Sequence, residues 1–299
     1  MGAKRAKRAH LAKRAKAGFV VLCLALGALV SEGRPRADTR HGGAKAAPAS
    51  PGLPSDVAKR LRSGDDAQVK AALDDVRVAG RGGAPLVPVI VDALERGLSP
   101  TLTQAAIETL GDTEAEGASL ALAWYSKHRN VAIRRAAVQA LARTRGTVAT
   151  TALRAALSDP DPAVRALAAT GLGTLNAREA VGDLFVALDH RVAEAAASIG
   201  QICVGGECDK LAGKLGSVPF DVVTSGLDRA LARPPADVAD DIKVKIVARV
   251  RELGTGQANR FLRGVQSKWP KKGSPRVRQA IDQAVIATSG SPGAEEASP

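Results

Sequence analysis

The sequence predicts an all-α protein, an α-solenoid (α/α superhelix) of about six or seven helix pairs. The first observation is a leucine that recurs every 31 residues at the end of one apolar, polar and alanine-rich pattern: Leu110, Leu141 and Leu172. The second is another row of leucines with the same interval: Leu122, Leu153 and Leu184. Each unit therefore holds two helices, and so small a unit must stack on its neighbours to bury its apolar face.

The composition agrees with closely packed helices. Hydrophobic residues make up 45% of the chain but aromatic residues only 2%, so the apolar mass is alanine, leucine and valine. Small side chains let helices approach each other closely, and alanine has the highest helix propensity.

The net charge of +13 is concentrated near the N-terminus. Residues 1–30 hold 7 Lys or Arg and no acidic residue, and residues 31–46 hold 4 basic and 2 acidic residues. Subtracting both segments from the totals of 43 basic and 30 acidic residues leaves 32 and 28. The predicted folded part is only mildly basic, which argues against a nucleic-acid partner.

Residues 1–30 are predicted to be a signal peptide or an N-terminal membrane anchor. A basic stretch precedes an uncharged apolar run of 14 residues at 17–30, which is shorter than the roughly 20 residues of a membrane-spanning helix. Small residues in this run favour cleavage, whereas the long basic region favours an uncleaved anchor. We expect an exported protein, periplasmic or secreted after cleavage, or otherwise held at the inner membrane with the solenoid outside the cytoplasm. Residues 31–54, rich in Gly, Ala and Pro, are predicted to be a flexible linker.

The predicted solenoid covers residues 55–289 and is clearest in its middle. Its four best-defined helix pairs are expected at 84–111, 113–143, 147–175 and 177–202. A weaker pair opens the array at 55–79.

The segment from Leu157 to Arg165 carries the strongest local signature of the chain. Asp161 is expected to cap the free amides of the next helix, and Pro162 suits its first position, where no amide donor is needed. This turn and its helix resemble a HEAT repeat, particularly the short bacterial form that is also found in phycobilin lyases. The resemblance implies HEAT-like helix pairs, and it implies that Asp159 and Arg165 belong to a structural ladder of Asp and Arg side chains.

The repeat becomes irregular after residue 203. Pro234-Pro235 breaks a helix, because proline lacks an amide donor and clashes with the preceding turn. Val244-Lys245 and Val277-Arg278 restore the apolar-basic pair at a spacing of 33 residues. We expect the last three helical segments to form a cap, followed by a disordered tail at 290–299.

His128, Asp159 and His190 recur at the 31-residue interval. Equivalent positions on stacked helices lie about 8 to 10 Å apart, whereas the ligands of one zinc ion lie about 2 Å from it. We therefore expect a row of solvated turn residues, and no metal site, cofactor or catalytic group is predicted.

Cys203 and Cys208 lie between two predicted helices, with glycines between them that let the loop close. In an exported chain they are candidates for a disulfide, with free thiols as the alternative.

A basic cluster near the C-terminus surrounds Trp269 and is a candidate surface for an anionic partner. Its members are Arg260, Arg263, Lys268, Lys271, Lys272, Arg276 and Arg278. The alternative is a solvated helix face with Trp269 in the core. Trp124 and Tyr125 are predicted to pack between units.

The function predicted from these features is a non-enzymatic scaffold for an unidentified protein partner. The sequence contains no phosphate-binding glycine loop, nucleophile elbow or zinc motif. In HEAT arrays the second helix of each pair lines the binding face, so the resemblance implies partner contact through Gln104, Glu108, Arg135, Gln139 and Thr170.

Two other functions stay open. A nucleic-acid or other polyanion binder, similar to HEAT-like DNA glycosylases, would use the basic C-terminal cluster. A chromophore-handling protein similar to phycobilin lyases would share the repeat type, although a shared fold does not transfer function.

Overall fold

The computed structural model describes residues 52–290, which form fifteen α-helices and no β-strand. The helices are α1 Val57–Leu61, α2 Asp66–Ala79, α3 Val87–Arg96, α4 Pro100–Asp112, α5 Ser119–Tyr125, α6 Val131–Leu141, α7 Thr147–Ala156, α8 Pro162–Thr174, α9 Val181–Asp189, α10 Glu194–Ile202, α11 Gly206–Ala212, α12 Phe220–Ala232, α13 Asp240–Glu252, α14 Gly256–Lys268 and α15 Pro275–Thr288. Short 3-10 helices precede α3, α5 and α9.

Alternate helices stack on one another in two rows. In the even row, each helix from α2 to α12 contacts the next even helix. In the odd row, α1 contacts α3, α5 contacts α7, and α11, α13 and α15 follow one another. Each odd helix up to α13 also contacts the even helix that follows it. The described residues therefore form an all-α solenoid of seven helix pairs followed by α15, which confirms the predicted fold class.

The two leucine rows explain this arrangement. Leu110, Leu141 and Leu172 lie in α4, α6 and α8, and all three are 0% exposed. The other row is equally buried and lies in odd helices α5, α7 and α9: Leu122, Leu153 and Leu184. One leucine per helix thus anchors each row, and the interval of 31 residues is the length of one helix pair with its turns.

Helices α10 and α12 approach so closely that their backbones touch. A Cβ atom added at Gly200 would lie 1.9 Å from the carbonyl oxygen of Gly226, and one added at Gly226 would lie 2.2 Å from that of Ala196. Neither position has room for a side chain. Both glycines allow a helix contact that no larger residue permits.

The array continues beyond residue 203 with altered spacing. Helix α12 ends at Ala232, directly before Arg233 and the predicted break at Pro234-Pro235. Helix α13 packs on α11, and α15 packs on both α13 and α14.

The predicted signal or anchor at 1–30, most of the linker at 31–54 and nearly all of the tail at 290–299 lie outside the described residues. Among the helices of residues 52–290, none combines the length and apolar character that crossing a bilayer requires.

Candidate interaction surfaces

One buried ion pair joins consecutive units of the array. The Arg134 guanidinium in α6 donates to both carboxylate oxygens of Asp159, in the turn between α7 and α8, over 2.9 Å each. Only 14% of the Arg134 side chain and 9% of the Asp159 side chain are exposed, and the hydrogen bond to Asp159 raises the pKa of Arg134. Bidentate bonds of this kind fix orientation as well as adding energy. The pair therefore sets how one unit sits against the next.

Arg165 does not extend the ladder as the resemblance implies. Its Nη1 donates to the backbone carbonyl of Asp159 over 2.8 Å, not to a carboxylate. Arg134, 31 residues earlier, holds its own turn in the same way through the carbonyl of His128 (3.1 Å). In the next unit His190 occupies the position of Asp159, so Arg165 finds no carboxylate there. At this edge of the described residues, the predicted ladder therefore consists of one ion pair between units, that of Arg134 with Asp159. Arg165 stabilises the turn instead.

A second, more exposed ion pair lies beside the pair of Arg134 and Asp159. Arg135 donates to the two oxygens of Asp161 over 2.9 and 2.6 Å, and Asp161 also accepts from the backbone amide of Val164 over 3.0 Å. Asp161 therefore caps α8, as predicted. The Arg135 guanidinium and the amide lower the pKa of the Asp161 carboxyl to about 2. The Arg135 side chain, a predicted partner contact, stays 47% exposed while it holds this pair.

His128, Asp159 and His190 occupy equivalent turn positions, as the interval predicts. Nδ1 of His128 accepts from the backbone amide of Asn130 over 3.0 Å, just as Oδ1 of Asp159 accepts from the amide of Asp161 over 2.9 Å. His190 is exposed and directly follows α9. In the part of the chain that the structure describes, no three His, Cys, Asp or Glu side chains are grouped to hold a metal ion.

The outward face of the even helices carries three rows of side chains at 31-residue intervals. Helices α4, α6, α8 and α10 each contribute one residue to each row. The rows are Thr101, Ala132, Ala163 and Glu194; Gln104, Arg135, Ala166 and Ala197; and Glu108, Gln139, Thr170 and Gln201. All twelve residues are exposed or partly exposed. The five partner contacts predicted on these helices belong to the second and third rows.

Some residues of the rows are hydrogen-bonded to neighbouring side chains, and others are not. Gln104 donates to Glu108 over 2.9 Å, and Gln201 accepts from Arg229 over 2.8 Å. Gln139 and Thr170 are exposed, and within residues 52–290 neither side chain forms a hydrogen bond. The backbone carbonyl of Thr170 accepts from the Thr174 hydroxyl over 3.1 Å. The centre of the third row is therefore the most accessible part of this face.

The prediction that Trp124 packs between units is wrong. Its side chain is 78% exposed, and Leu120 one turn earlier is 73% exposed. Leu122 takes the inward position of α5, and at about 100° per residue Trp124 then falls about 200° away from it. Tyr125 is partly buried, and its hydroxyl donates to the carbonyl of Leu94 over 3.4 Å. Burial, and secondarily the nearby Glu95 carboxylate, raises the pKa of Tyr125.

Two clefts flank Trp124 on the outer face of the odd helices. A cleft of about 600 Å³ between α3 and α5 is lined by Val91, Leu94, Glu95, Leu120 and Trp124, among others. A smaller cleft of about 270 Å³ between α5 and α7 is lined mainly by small apolar side chains, with Lys127 at its edge. This surface was not predicted, because the leucine pattern locates the inward face of a helix but does not identify an apolar residue left outside.

Comparison with known sequences identifies the repeat. Residues 87–159 match the family described as HEAT repeats. This part of the chain consists of HEAT repeats. No curated protein sequence matches the chain.

Solved structures of similar fold cover most of the chain. The complex of CpcE and CpcF of phycocyanin lyase from Nostoc sp. PCC7120 is 16% identical, with 84% of this chain and 99% of that chain covered and a TM-score of 0.44. A designed armadillo repeat protein in complex with the peptide (KR)4 is 15% identical, with 78% of this chain and 98% of that chain covered and a TM-score of 0.37.

The basic cluster at the C-terminal end of the solenoid is partly neutralised by acidic neighbours. Lys268 lies 3.5 Å from Asp228, and Arg276 lies 2.5 Å from Asp241. The remaining predicted members Arg260, Arg263, Lys271, Lys272 and Arg278 are exposed, and Arg278 lies 4.0 Å from Asp282. Arg260 also lines a cleft of about 650 Å³ with Phe220 and Phe261, whose rings meet edge to face at 6.3 Å.

Trp269 is partly buried and packs against the core, beside a lysine that the sequence did not single out. Lys243 is only 3% exposed, and its Nζ lies 5.5 Å from the centroid of the Trp269 ring. The Lys243 ammonium donates to the carbonyl of Arg233 at the end of α12, which stabilises a helix terminus. Desolvation lowers the pKa of Lys243. Lys243 therefore has a structural role at the junction of α12 and α13.

Cys203 directly follows α10 and Cys208 lies in α11, and the two residues meet across the turn between these helices. Their Sγ atoms are 2.06 Å apart and their Cα atoms 5.4 Å apart, and both residues are 0% exposed. Arg233 donates to the carbonyl of Cys203. The disulfide closes the turn that joins the regular part of the array to its C-terminal end.

Proposed function

We propose that the chain is a non-enzymatic HEAT-repeat scaffold that binds a protein partner along the outward face of its even helices. The observation that carries this proposal is the set of three rows on α4, α6, α8 and α10. A partner segment that crosses these helices would meet an equivalent position about every 10 Å. Stacked repeats generally use such extended surfaces for binding, because many similar contacts add up along them.

The chemistry of the rows favours a polypeptide partner over a polyanion. The third row offers two amide side chains, a hydroxyl and a single carboxylate: Gln139, Gln201, Thr170 and Glu108. Amides and hydroxyls donate and accept hydrogen bonds, which suits the mixed donors and acceptors of a protein segment. A nucleic-acid surface would instead need a concentration of Lys and Arg to neutralise phosphates.

The competing polyanion function depends on the C-terminal cluster. Its charge is reduced where Asp228 and Asp241 pair with Lys268 and Arg276. Salt-sensitive binding of DNA by the full chain, lost in Lys271→Glu and Lys272→Glu variants, would favour this function over the scaffold.

We further propose an exported or membrane-tethered setting for the scaffold. The basic and apolar N-terminal region supports it, and a disulfide between Cys203 and Cys208 suits an oxidising compartment. The mature N-terminus, measured by mass spectrometry on the protein from its native host, decides between cleavage and anchoring. A soluble cytoplasmic protein with an intact N-terminus and both thiols free would contradict the proposed setting.

The partner function is tested by capture with the full chain, followed by affinity measurements on the identified partner. Gln139→Arg and Thr170→Arg introduce bulk and charge at the accessible centre of the third row. We expect each to weaken binding by about tenfold, a loss of about 1.4 kcal/mol. Gln283→Arg, at an exposed position of α15, is the matched control and should leave the affinity unchanged. Equal affinities for all three variants would contradict the proposed surface.

A further inference from the structure

The outer face of the odd helices carries an apolar stripe with no partner in the described structure. Trp124, Ala155 and Val186 lie at equivalent positions of α5, α7 and α9, 31 residues apart, and all three are exposed. The exposed fractions of Trp124 and Val186 are 78% and 58%. Contiguous exposed apolar side chains commonly mark an interaction surface, and tryptophan is among the residues most enriched at binding hot spots.

The charges beside the stripe have opposite signs on its two sides. Glu95 lines the cleft between α3 and α5, and Lys127 lines the cleft between α5 and α7. Neither side chain forms an ion pair within residues 52–290. Trp124 lines the first cleft and lies on the helix that separates the two. The surface therefore presents an exposed indole with a carboxylate on one side and an ammonium on the other.

We propose that a second copy of this chain docks on the stripe as a two-fold symmetric dimer. A two-fold axis beside Trp124 brings the two indoles together and places Glu95 of each copy near Lys127 of the other. The same patch on both copies is then complementary to itself, which is the defining property of an isologous interface.

The size of the stripe suits such an interface. The stripe on α5, α7 and α9, together with the adjoining cleft between α3 and α5, crosses four helices, which at about 10 Å spacing is roughly 30 Å. That is the width of a typical interface of about 800 Å² per partner. The even-helix rows stay open in this dimer, because they belong to the other row of helices.

A charge exchange tests the proposal on the full chain in mild detergent, with mass measured by analytical ultracentrifugation. Glu95→Lys and Lys127→Glu each place two like-charged pairs across the interface, and each should weaken the dimer by about tenfold. The double variant restores both pairs with reversed polarity and should recover the wild-type dissociation constant. A double variant as weak as the single variants, or a wild-type chain that stays monomeric at about 100 μM, would overturn the proposal.

A cross-link provides a second readout that does not depend on charge. Because the axis passes beside position 124, Trp124→Cys should form a disulfide between two copies under mild oxidation. Ile286→Cys, on α15 with 74% of the native side chain exposed, is the matched control and should stay uncross-linked. Equal cross-linking at both positions would overturn the proposal. So would a monomer whose Trp124 is shielded from a fluorescence quencher, because the stripe would then be covered by another protein or by the chain's own N-terminal region.

Discussion

Individual residues at the turns hold the units of the solenoid in register. The Arg134 to Asp159 pair is nearly buried, whereas the Arg154 to Asp183 pair on the odd helices leaves 43% and 41% of its side chains exposed. The two pairs have similar chemistry, but burial makes their contributions to stability very different. Removing one member of a buried pair leaves an uncompensated charge, while exposed pairs contribute little.

Arg134→Ala is therefore predicted to lower the free energy of unfolding by about 1.5 to 3 kcal/mol, because Asp159 loses two charge-assisted hydrogen bonds in a largely buried turn. Arg154→Ala is the matched control, and we expect a much smaller change, because exposed ion pairs contribute little to stability. Urea denaturation followed by circular dichroism measures both values. Equal losses for the two variants would show that burial does not distinguish the pairs.

The low pKa of Asp161 predicts a dependence of stability on pH. The folded-state pKa of about 2 lies below the ordinary value of 3.8, so the ionised carboxylate stabilises the fold above about pH 4. This contribution declines as the pH falls from 4 and is lost as the carboxyl protonates near pH 2. Asp161→Asn keeps a capping side chain but removes the charge. The variant should be less stable than the wild type at pH 7 and equally stable at pH 2, measured by thermal unfolding. A stability difference that persists unchanged at pH 2 would rule out the ion pair as its source.

At the scale of elements, the 31-residue leucine interval predicted the helix pairs from α3 to α10 because one register is repeated in each. The pairing of Arg134 with Asp159 was not predicted, since pairing across units depends on which turn faces which helix. Trp124 was predicted to pack between units, because the sequence of a short apolar helix does not show which way each apolar side chain faces. The burial of Lys243 was not predicted, because its hydrogen-bond acceptor is a backbone carbonyl, which every residue possesses.

The close contact between α10 and α12 predicts a strong effect of a single methyl group. Gly200→Ala would place its Cβ against the Gly226 carbonyl, and we expect a loss of about 2 to 3 kcal/mol in the free energy of unfolding. Gly182→Ala in α9 is the control, because a Cβ there meets nothing within 4 Å. It should stabilise the protein by about 0.5 to 1 kcal/mol, through higher helix propensity. Chemical denaturation of both variants checks these signs, and a neutral Gly200→Ala would refute the close contact.

The turn between α10 and α11 predicts a measurable effect of reductant. Reducing the bond between Cys203 and Cys208 opens a loop of six residues and should lower stability by about 2 kcal/mol, if chain entropy dominates. Thermal unfolding with and without reductant gives the difference. Alkylation of the unfolded, unreduced protein followed by mass measurement provides the control, and two modified thiols in protein from the native host would contradict the disulfide.

For the whole molecule, the two rows of helices present two faces of different chemistry. The even helices expose polar rows centred on Gln139 and Thr170, and the odd helices expose the apolar stripe centred on Trp124. Because the faces belong to different helices, a partner on one and a second copy on the other do not compete for the same residues. A scaffold that dimerises through its odd helices would present its partner sites twice, which raises avidity without new contacts.

Site-specific photo-crosslinking in the native host tests the central claim most directly. A photoreactive phenylalanine analogue is placed at Gln139 or Thr170 on the even helices, and at Thr151 on α7 as the control for the opposite face. We predict that positions 139 and 170 yield an adduct with one discrete protein and that position 151 does not yield this adduct. The same adduct from position 151, or none from either even-helix position, would contradict partner binding along the even helices.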